Sequence, residues 1–375
     1  MHESDPLVRG LSRTLTRRLL LEPLVLLLAA AALALSPALL LAALLGDLLR
    51  RRRELPWLRA AVFLVFYALA QAAGLIGLWV CWLGWRWRSP ERYLAVNYAV
   101  GQRWARALYG AFERLYALKV EVDGAHHLAS GPLLVFPRHV SLADTLLPLI
   151  IAPLRMRPRF VMKAALKLDP VLDLLGSRTP NAFVERGTGA HDAQIARVVA
   201  LAEGAGPSDL IVLFPEGTRF TPERRERRLA KLEERGDRER LALARALERT
   251  LPPHTGGPLG LMDALPEADV VFCAHAGFEG LTHLQDLLDG SMIEHRVRVK
   301  LWRVDAAEIP ADREARRRWL FDQWRALDRW ITGSQAPSAP DPSCVKSPDS
   351  QGDLTQPPPA RSGQDTQAGN NVRAD

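Results

Sequence analysis

The chain has 375 residues and a formal net charge of +7, enough for two domains or for one domain with appendages. Its Arg residues cluster beside long apolar runs, which suits an anionic membrane surface; they are not interleaved with aromatics on a separate polar face, which disfavours nucleic acid. Cys81, Cys273 and Cys344 are far apart and form no C-x-x-C pair, which argues against a disulfide framework or zinc site and leaves a reducing, cytoplasm-facing compartment as the expectation.

Leu19 to Leu49 is an apolar run broken only by Glu22, Pro23, Ser36, Pro37, Gly46 and Asp47. Trp57 to Trp85 is a second, with Arg59 and Gln71 as its strongly polar members. Each exceeds the roughly 20 residues that cross a bilayer. The first is too long, and lacks a clean cleavage site, for a secretory signal. Two simple spans would put Arg50 to Arg53 on the far side from Arg9, Arg13, Arg17 and Arg18 and from Arg86, Arg88 and Arg92, against the positive-inside tendency. Pro37, Gly74 and Gly77 allow another arrangement, with bent helices in one leaflet and all three clusters on the cytoplasmic side. Both arrangements stand as alternatives. Trp79, Trp82, Trp85 and Trp87 suit an interfacial aromatic belt. Residues 1–92 are expected to form a membrane-embedded helical region.

A helical, Arg-rich and aromatic stretch follows from Tyr93 to Ala117. Beyond it, candidate strands Lys119–Val122, Leu133–Phe136, Arg159–Met162, Ala182–Val184, Leu210–Phe214, Val270–Ala274 and Val297–Trp302 alternate with helical patterns. The helices are expected at Leu142–Ile151, Ala164–Leu175, His191–Glu203, Pro222–Arg249, Pro258–Leu265 and Asp312–Ile331. This alternation reads as an α/β domain over residues 93–333, a sheet covered by helices. Glu226, Glu233, Glu234, Asp237, Glu239 and Glu248 interrupt the basic stripe of Arg224 to Arg249, so it reads as a solvated helix face. Residues 334–375 hold few large apolar side chains and read as a disordered tail.

Three strand ends carry the candidate chemistry. In Phe136-Pro137-Arg138-His139-Val140-Ser141-Leu142-Ala143-Asp144 a strand gives way to a helix, with His139 and Asp144 at the junction. Histidine suits general-base work near neutral pH, and a carboxylate on one ring nitrogen fixes the tautomer. Five residues apart on one ideal helix the pair would not share a face; the spacing works if His139 precedes the helix and Asp144 sits in its first turns. Ser141-x-x-Asp144 also resembles a capping box. In Leu210–Arg219 an apolar strand runs into Phe214-Pro215-Glu216-Gly217-Thr218-Arg219. There Gly217 permits close backbone approach, Arg219 could grip a phosphate, and Glu216 could accept a bond from a polyol hydroxyl. In Asn181-Ala182-Phe183-Val184-Glu185-Arg186-Gly187 a strand end delivers Arg186, and Lys163 holds a similar place after Val161-Met162. Ligands in open α/β sheets bind beyond the carboxyl ends of strands.

Read in order, these segments resemble the glycerolipid acyltransferase family, whose best-known members are 1-acyl-sn-glycerol-3-phosphate acyltransferases. The H-x4-D pattern is His139 to Asp144, the second block is Phe183-Val184-Glu185-Arg186, and F-P-E-G-T-R stands unaltered at Phe214 to Arg219. The resemblance covers roughly residues 93 to 332. Leu251-Pro252-Pro253-His254-Thr255-Gly256-Gly257 looks like the segment preceding the fourth block in the lysocardiolipin and related lysophospholipid branch. The Pro usual in that fourth block is absent from Val270-Val271-Phe272-Cys273-Ala274-His275.

The resemblance implies that His139, oriented by Asp144, takes the proton from an acceptor hydroxyl, whose oxygen attacks the thioester of acyl-CoA or acyl carrier protein. It implies that Arg186 and Lys163 hold the acceptor phosphate while Glu216, Gly217, Thr218 and Arg219 position the glycerol and head group. It implies no metal and no bound cofactor. The acceptor is expected to be a lysophospholipid, 1-acyl-sn-glycerol-3-phosphate first, giving phosphatidic acid. Remodelling of a lysocardiolipin or lysophosphatidylinositol-like acceptor and a non-catalytic membrane scaffold are alternatives, and the lack of G-x-S-x-G disfavours a lipase or thioesterase. The expected location is the inner (cytoplasmic) membrane, with the active site facing the cytoplasm and membrane lipid as partner.

Overall fold

The structure, a computed structural model, describes residues 6–141, 143–184, 191–281 and 285–335. Three long helices come first: α1 (Pro6–Leu49), α2 (Pro56–Trp85) and α3 (Pro90–Tyr116). Then follow β1 (Lys119–Asp123), β2 (Leu133–Pro137), α4 (Leu147–Ile151), β3 (Arg157–Lys163), α5 (Pro170–Arg178), β4 (Ala182–Val184), α6 (His191–Val199) and β5 (Asp209–Val212). The last part comprises α7 (Pro222–Glu234), α8 (Arg238–Arg245), α9 (Gly256–Ala264), β6 (Asp269–Ala276), α10 (Asp286–Asp289), β7 (Arg296–Val304) and α11 (Arg313–Gln335).

All seven expected strands form one sheet, in the order β1-β7-β6-β2-β5-β3-β4. Neighbours pair in parallel except β6 and β7. The central strands β2 and β5 are fully buried, as their unbroken Leu-Val-Ile runs require when both sheet faces are covered. One face packs Val135, Val212, Val271 and Leu301 against Phe112 and Tyr116 of α3. The other packs Phe136, Ile211 and Phe272 against α9 and the Leu320, Trp324 and Leu327 stripe of α11. Because β6, β2, β5, β3 and β4 run the same way, their carboxyl ends share one sheet edge.

Three expected helices differ in detail. The stretch expected as one helix from Pro222 to Arg249 divides, because Gly236 takes φ +66° and Asp237 caps α8 by accepting from the Arg240 N–H; both features end one helix and begin another. The expected Ala164–Leu175 helix is a 3-10 turn (Ala164–Leu168) followed by α5. The break falls at Asp169-Pro170, with Asp169 accepting from the Leu172 N–H. The start of the expected Leu142–Ile151 helix is likewise a 3-10 turn, Ala143–Leu146.

Arg13–Leu49 and Pro56–Trp85 are long and apolar enough to cross a membrane. The helical hairpin they form packs on the sheet domain rather than standing apart from it, and the described residues are one compact unit. Asp47, at the end of α1, caps α2 by accepting from the N–H groups of Trp57 and Leu58. Gly74 of α2 lets the Trp104 ring of α3 approach to where a Cβ would sit at 2.9 Å. Leu75 and Leu78 of α2 close a small core with Trp104, Leu108, Val171 and Leu174. On α1, by contrast, Leu19, Leu20, Leu27 and Leu49 are each more than 60% exposed. The tail expected from residue 334 lies, after Gln335, outside the described residues.

Candidate active site

β2 ends at Pro137, and the chain turns before the 3-10 helix Ala143–Leu146. His139 stands on that turn and Asp144 in the first helical turn. The His139 Nδ1 lies 3.0 Å from Asp144 Oδ1. The other carboxylate oxygen accepts the backbone N–H groups of Val140 and Ser141, at 2.5 and 2.7 Å. Ser141 Oγ accepts in return from the N–H groups of Ala143 and Asp144. The capping and dyad arrangements therefore coexist: one oxygen of Asp144 caps the turn and the other orients the imidazole. A carboxylate only accepts, so Nδ1 carries the proton and Nε2 is the basic nitrogen. Burial pushes the Asp144 carboxyl up, but the His139 hydrogen bond, the electrostatic pull of the His139 and His275 rings and the Ser141 N–H outweigh it and hold it below its ordinary range.

Glu216 lies beneath this turn. It is fully buried, with Oε1 accepting the His139 backbone N–H and Oε2 accepting the Leu251 N–H, each at 2.8 Å. Both oxygens are thus committed to the main chain, and the residue braces the base instead of meeting a polyol. Burial pushes its carboxyl up to about 8, against the pull of the two backbone N–H groups and the Arg138 charge. Arg138, also fully buried, donates to the carbonyls of His275 and Arg249 and pairs with Glu279.

His275 is a neighbour to which sequence reasoning gave no role. β6 lies beside β2 in parallel, which carries His275 behind the dyad, 3.6 Å from Asp144 Oδ2. Its Nε2 lies 3.2 Å from the Arg138 carbonyl oxygen, a contact that requires the proton on Nε2. Burial lowers its pKa to about 4, only partly opposed by Asp144, so the ring is neutral at physiological pH. Burial, aided by the Asp144 charge, also pushes the Cys273 thiol up to about 12; it stays protonated and is no nucleophile.

His139 lines a cavity of about 940 Å³. Lys163, Gly217, Thr218 and Arg219 line it too, so the ends of β2, β3 and β5 converge on one space. Gly217 takes φ +66°, and a Cβ there would stand 3.0 Å from the His254 ring; the turn needs glycine on both counts. Arg186 and its neighbours 185 to 190 lie outside the described residues. Trp104 of α3, Leu149 of α4 and Leu172 and Leu175 of α5 make an apolar wall, on the layer that α2 covers. Arg224, Arg227, Arg228 and Lys231 of α7 line the same cavity. The expected solvated stripe thus has one face turned to the cavity. Among the described residues no group of three His, Cys, Asp or Glu is placed to hold a metal ion.

Residues 119–256 match the family model described as Acyltransferase. The crystal structure of the 1-acyl-sn-glycerophosphate (LPA) acyltransferase PlsC from Thermotoga maritima aligns with 15% identity and a TM-score of 0.48, over 75% of this chain and 98% of that one. No curated protein sequence matches significantly. The matched segment contains the His139–Asp144 pair and the unaltered Phe214–Arg219 block, so residues 119–256 carry the hallmarks of an Acyltransferase domain.

Proposed function

We propose that the protein is a membrane-bound O-acyltransferase that moves a fatty acyl group from a thioester onto the free hydroxyl of a lysophospholipid, 1-acyl-sn-glycerol-3-phosphate first among acceptors. The observation that carries this reading is the His139–Asp144 pair, 3.0 Å apart, with His139 lining a cavity that both apolar side chains and cations share. The Nε2 of His139 takes the hydroxyl proton as the oxygen attacks the thioester carbonyl. The C–S bond breaks, the ester forms, and the proton leaves on the thiol. No acyl-enzyme is needed. Lys163 and Arg219 from the cavity, with Arg186 from the second block, would hold the acceptor phosphate.

The hairpin supports a membrane site in a particular geometry. At one end, Arg17 and Arg18 bond Asp173 of α5 at 2.7 and 2.8 Å, and Arg178 donates to the Leu78 carbonyl. At the other, Arg52 donates to the Leu288 carbonyl and Arg59 to the Leu115 carbonyl. α2, about 45 Å long at 1.5 Å per residue, is therefore held to the domain at both ends. A hairpin crossing the bilayer would carry one end away from a domain on one side, so this favours embedding in one leaflet, exposed α1 leucines towards lipid, domain towards the cytoplasm.

The test is transfer of labelled acyl groups by the purified protein in vesicles, with a panel of lysophospholipids. Transfer confined to lysophosphatidic acid supports the reading. Preference for lysocardiolipin or lysophosphatidylinositol would move it to remodelling, and no transfer with any acceptor would overturn it.

A further inference from the structure

We infer that Asp328, on the C-terminal helix α11, is a positioning residue for the base. It acts on His139 through residues 248–254, which run between the two as a strap. The inference rests on the acyltransferase reading above and extends the machinery beyond residues 119–256, the segment that matches the family model.

Residues 248–254 form neither helix nor strand, so their backbone groups need partners from elsewhere. Asp328 supplies three contacts from a buried carboxylate. Its Oδ2 accepts the Glu248 N–H at 2.9 Å. Its Oδ1 accepts the Arg249 N–H and the Thr250 hydroxyl, each at 2.8 Å. One turn earlier on α11, the buried Trp324 donates its indole N–H to the Leu251 carbonyl at 3.1 Å. Pro252 and Pro253 have no N–H to satisfy, and the His254 N–H reaches the Pro215 carbonyl at 2.8 Å. α11 is itself fixed in the core, with Leu320, Trp324, Leu327 and Ile331 fully buried. The strap is thus stretched from a rigid helix to the Phe214–Arg219 turn.

Two routes lead from the strap to His139. Leu251 donates its N–H to Glu216 Oε2, and Glu216 Oε1 accepts the His139 N–H, each at 2.8 Å. Arg138, the chain neighbour of His139, donates to the Arg249 carbonyl at 3.0 Å. The groups that Asp328 holds are therefore next to the groups that hold the His139 turn. Core packing alone does not call for a carboxylate here, because burying one costs free energy that an apolar side chain would not. What only an acceptor does at this position is fix the path of the strap. Without it, Arg249 and Leu251 are free to shift, and the base shifts with them. A small displacement of a reacting group is enough to slow a reaction. Asp328 does not line the cavity, so its loss should fall on the rate of transfer and leave substrate binding alone.

The test compares Asp328→Ala and Asp328→Asn with Leu320→Ala, in the full-length protein in vesicles and well below each Tm. Leu320→Ala removes core packing from α11 about two turns before Asp328. In Asp328→Ala, kcat should fall about ten-fold with both KM values within about two-fold. Asp328→Asn keeps one acceptor oxygen and should recover part of the loss. Leu320→Ala should lower Tm through its cavity, yet keep kcat within about two-fold of the parent. Hydrogen exchange reads the coupling without any substrate. Peptides covering residues 138–141 and 248–251 should both exchange about ten-fold faster in Asp328→Ala, relative to a β5 peptide, with that ratio unchanged in Leu320→Ala. Parental kcat in Asp328→Ala overturns the inference, as does an equal fall in Leu320→Ala or a change confined to KM. Faster exchange at 248–251 without faster exchange at 138–141 overturns it too. If Asp328→Ala does not fold, Thr250→Val, which removes one of the three contacts, is read in its place; parental exchange at 138–141 in that variant overturns the inference. If no lysophospholipid is acylated, the exchange result still decides the coupling, and the acyltransferase reading falls separately.

Discussion

The carboxylate of Glu216 accepts the backbone N–H of His139 at 2.8 Å, and its second oxygen accepts that of Leu251. One buried side chain thus ties the turn carrying the base to the segment that follows α8. Glu216→Ala leaves both N–H groups without this acceptor, at about 1–3 kcal/mol each, and frees the His139 turn to shift. A misplaced base can cost on the order of a hundred-fold in rate. The expected outcome is a large fall in kcat with both KM values within a few-fold. A rise confined to the acceptor KM would return Glu216 to the role of a head-group ligand.

Two buried groups set the pH range of stability. Glu216 has its folded value raised to about 8. Its favourable contribution is complete below the unfolded carboxylate value near 4.5 and is lost as pH rises through 8. His275 is lowered to about 4. The unfolded chain takes up that proton first, so stability falls as pH drops from about 6.5 towards 4. Tm measured against pH should show both flanks, with the alkaline loss absent in Glu216→Gln and the acid loss absent in His275→Asn. Parallel curves for parent and variants would dissociate these residues from the profile.

The strands, their order of chemistry and the H-x4-D junction were legible in the sequence because apolar runs ending in polar turns mark buried parallel strands directly. The roles of Glu216 and His275 were not. Motif order says that Glu216 stands at the site, but only pairing β5 with β2 shows that its oxygens reach backbone instead of substrate. His275 reads as one more strand residue until the parallel β2–β6 pair sets it behind Asp144. The face of α7 was hidden for another reason: interspersed glutamates mask a four-residue cationic face when charge is read along the chain and not around the helix.

His139→Ala should lower transfer by about two to four orders of magnitude, the usual scale for a lost general base, with folding and membrane binding intact. Asp144→Asn should be nearly as damaging, because the amide can donate where the carboxylate only accepts and so disturbs the Nδ1–H tautomer. It should also lower Tm, since Asp144 Oδ2 caps Val140 and Ser141. Single-turnover rates on folded protein check both; activity of His139→Ala within a few-fold of the parent would remove the base role.

Arg186→Ala should weaken acceptor binding on the order of ten- to a hundred-fold, the equivalent of a lost charged hydrogen bond of roughly 1.5–3 kcal/mol. Arg186→Lys should recover part of this, since it keeps the charge but not the planar fork. The KM for the acyl donor should hardly move. If the acceptor KM is unchanged, Lys163, which lines the cavity from the end of β3, becomes the phosphate ligand to change next.

The two membrane arrangements differ in where the Arg50–Arg53 turn lies. A spanning hairpin places it on the face opposite Arg13. An embedded hairpin keeps both on the cytoplasmic face, as the contacts of Arg17 and Arg18 with Asp173 and of Arg52 with Leu288 require if one domain holds both ends. α1, about 66 Å by its 44 residues at 1.5 Å each, is also far longer than the roughly 30 Å hydrocarbon core, and Pro23 and Pro37 stand within it. Arg13 and Arg53 are exposed, whereas Cys81 and Cys273 are buried and supply an unreactive background once Cys344 is replaced by Ser. Arg13→Cys and Arg53→Cys should therefore both react with a membrane-impermeant maleimide in inverted vesicles and neither in intact spheroplasts. Labelling of Arg53→Cys only from outside would establish two spans, and the contacts at the two ends of α2 could not then coexist in the membrane.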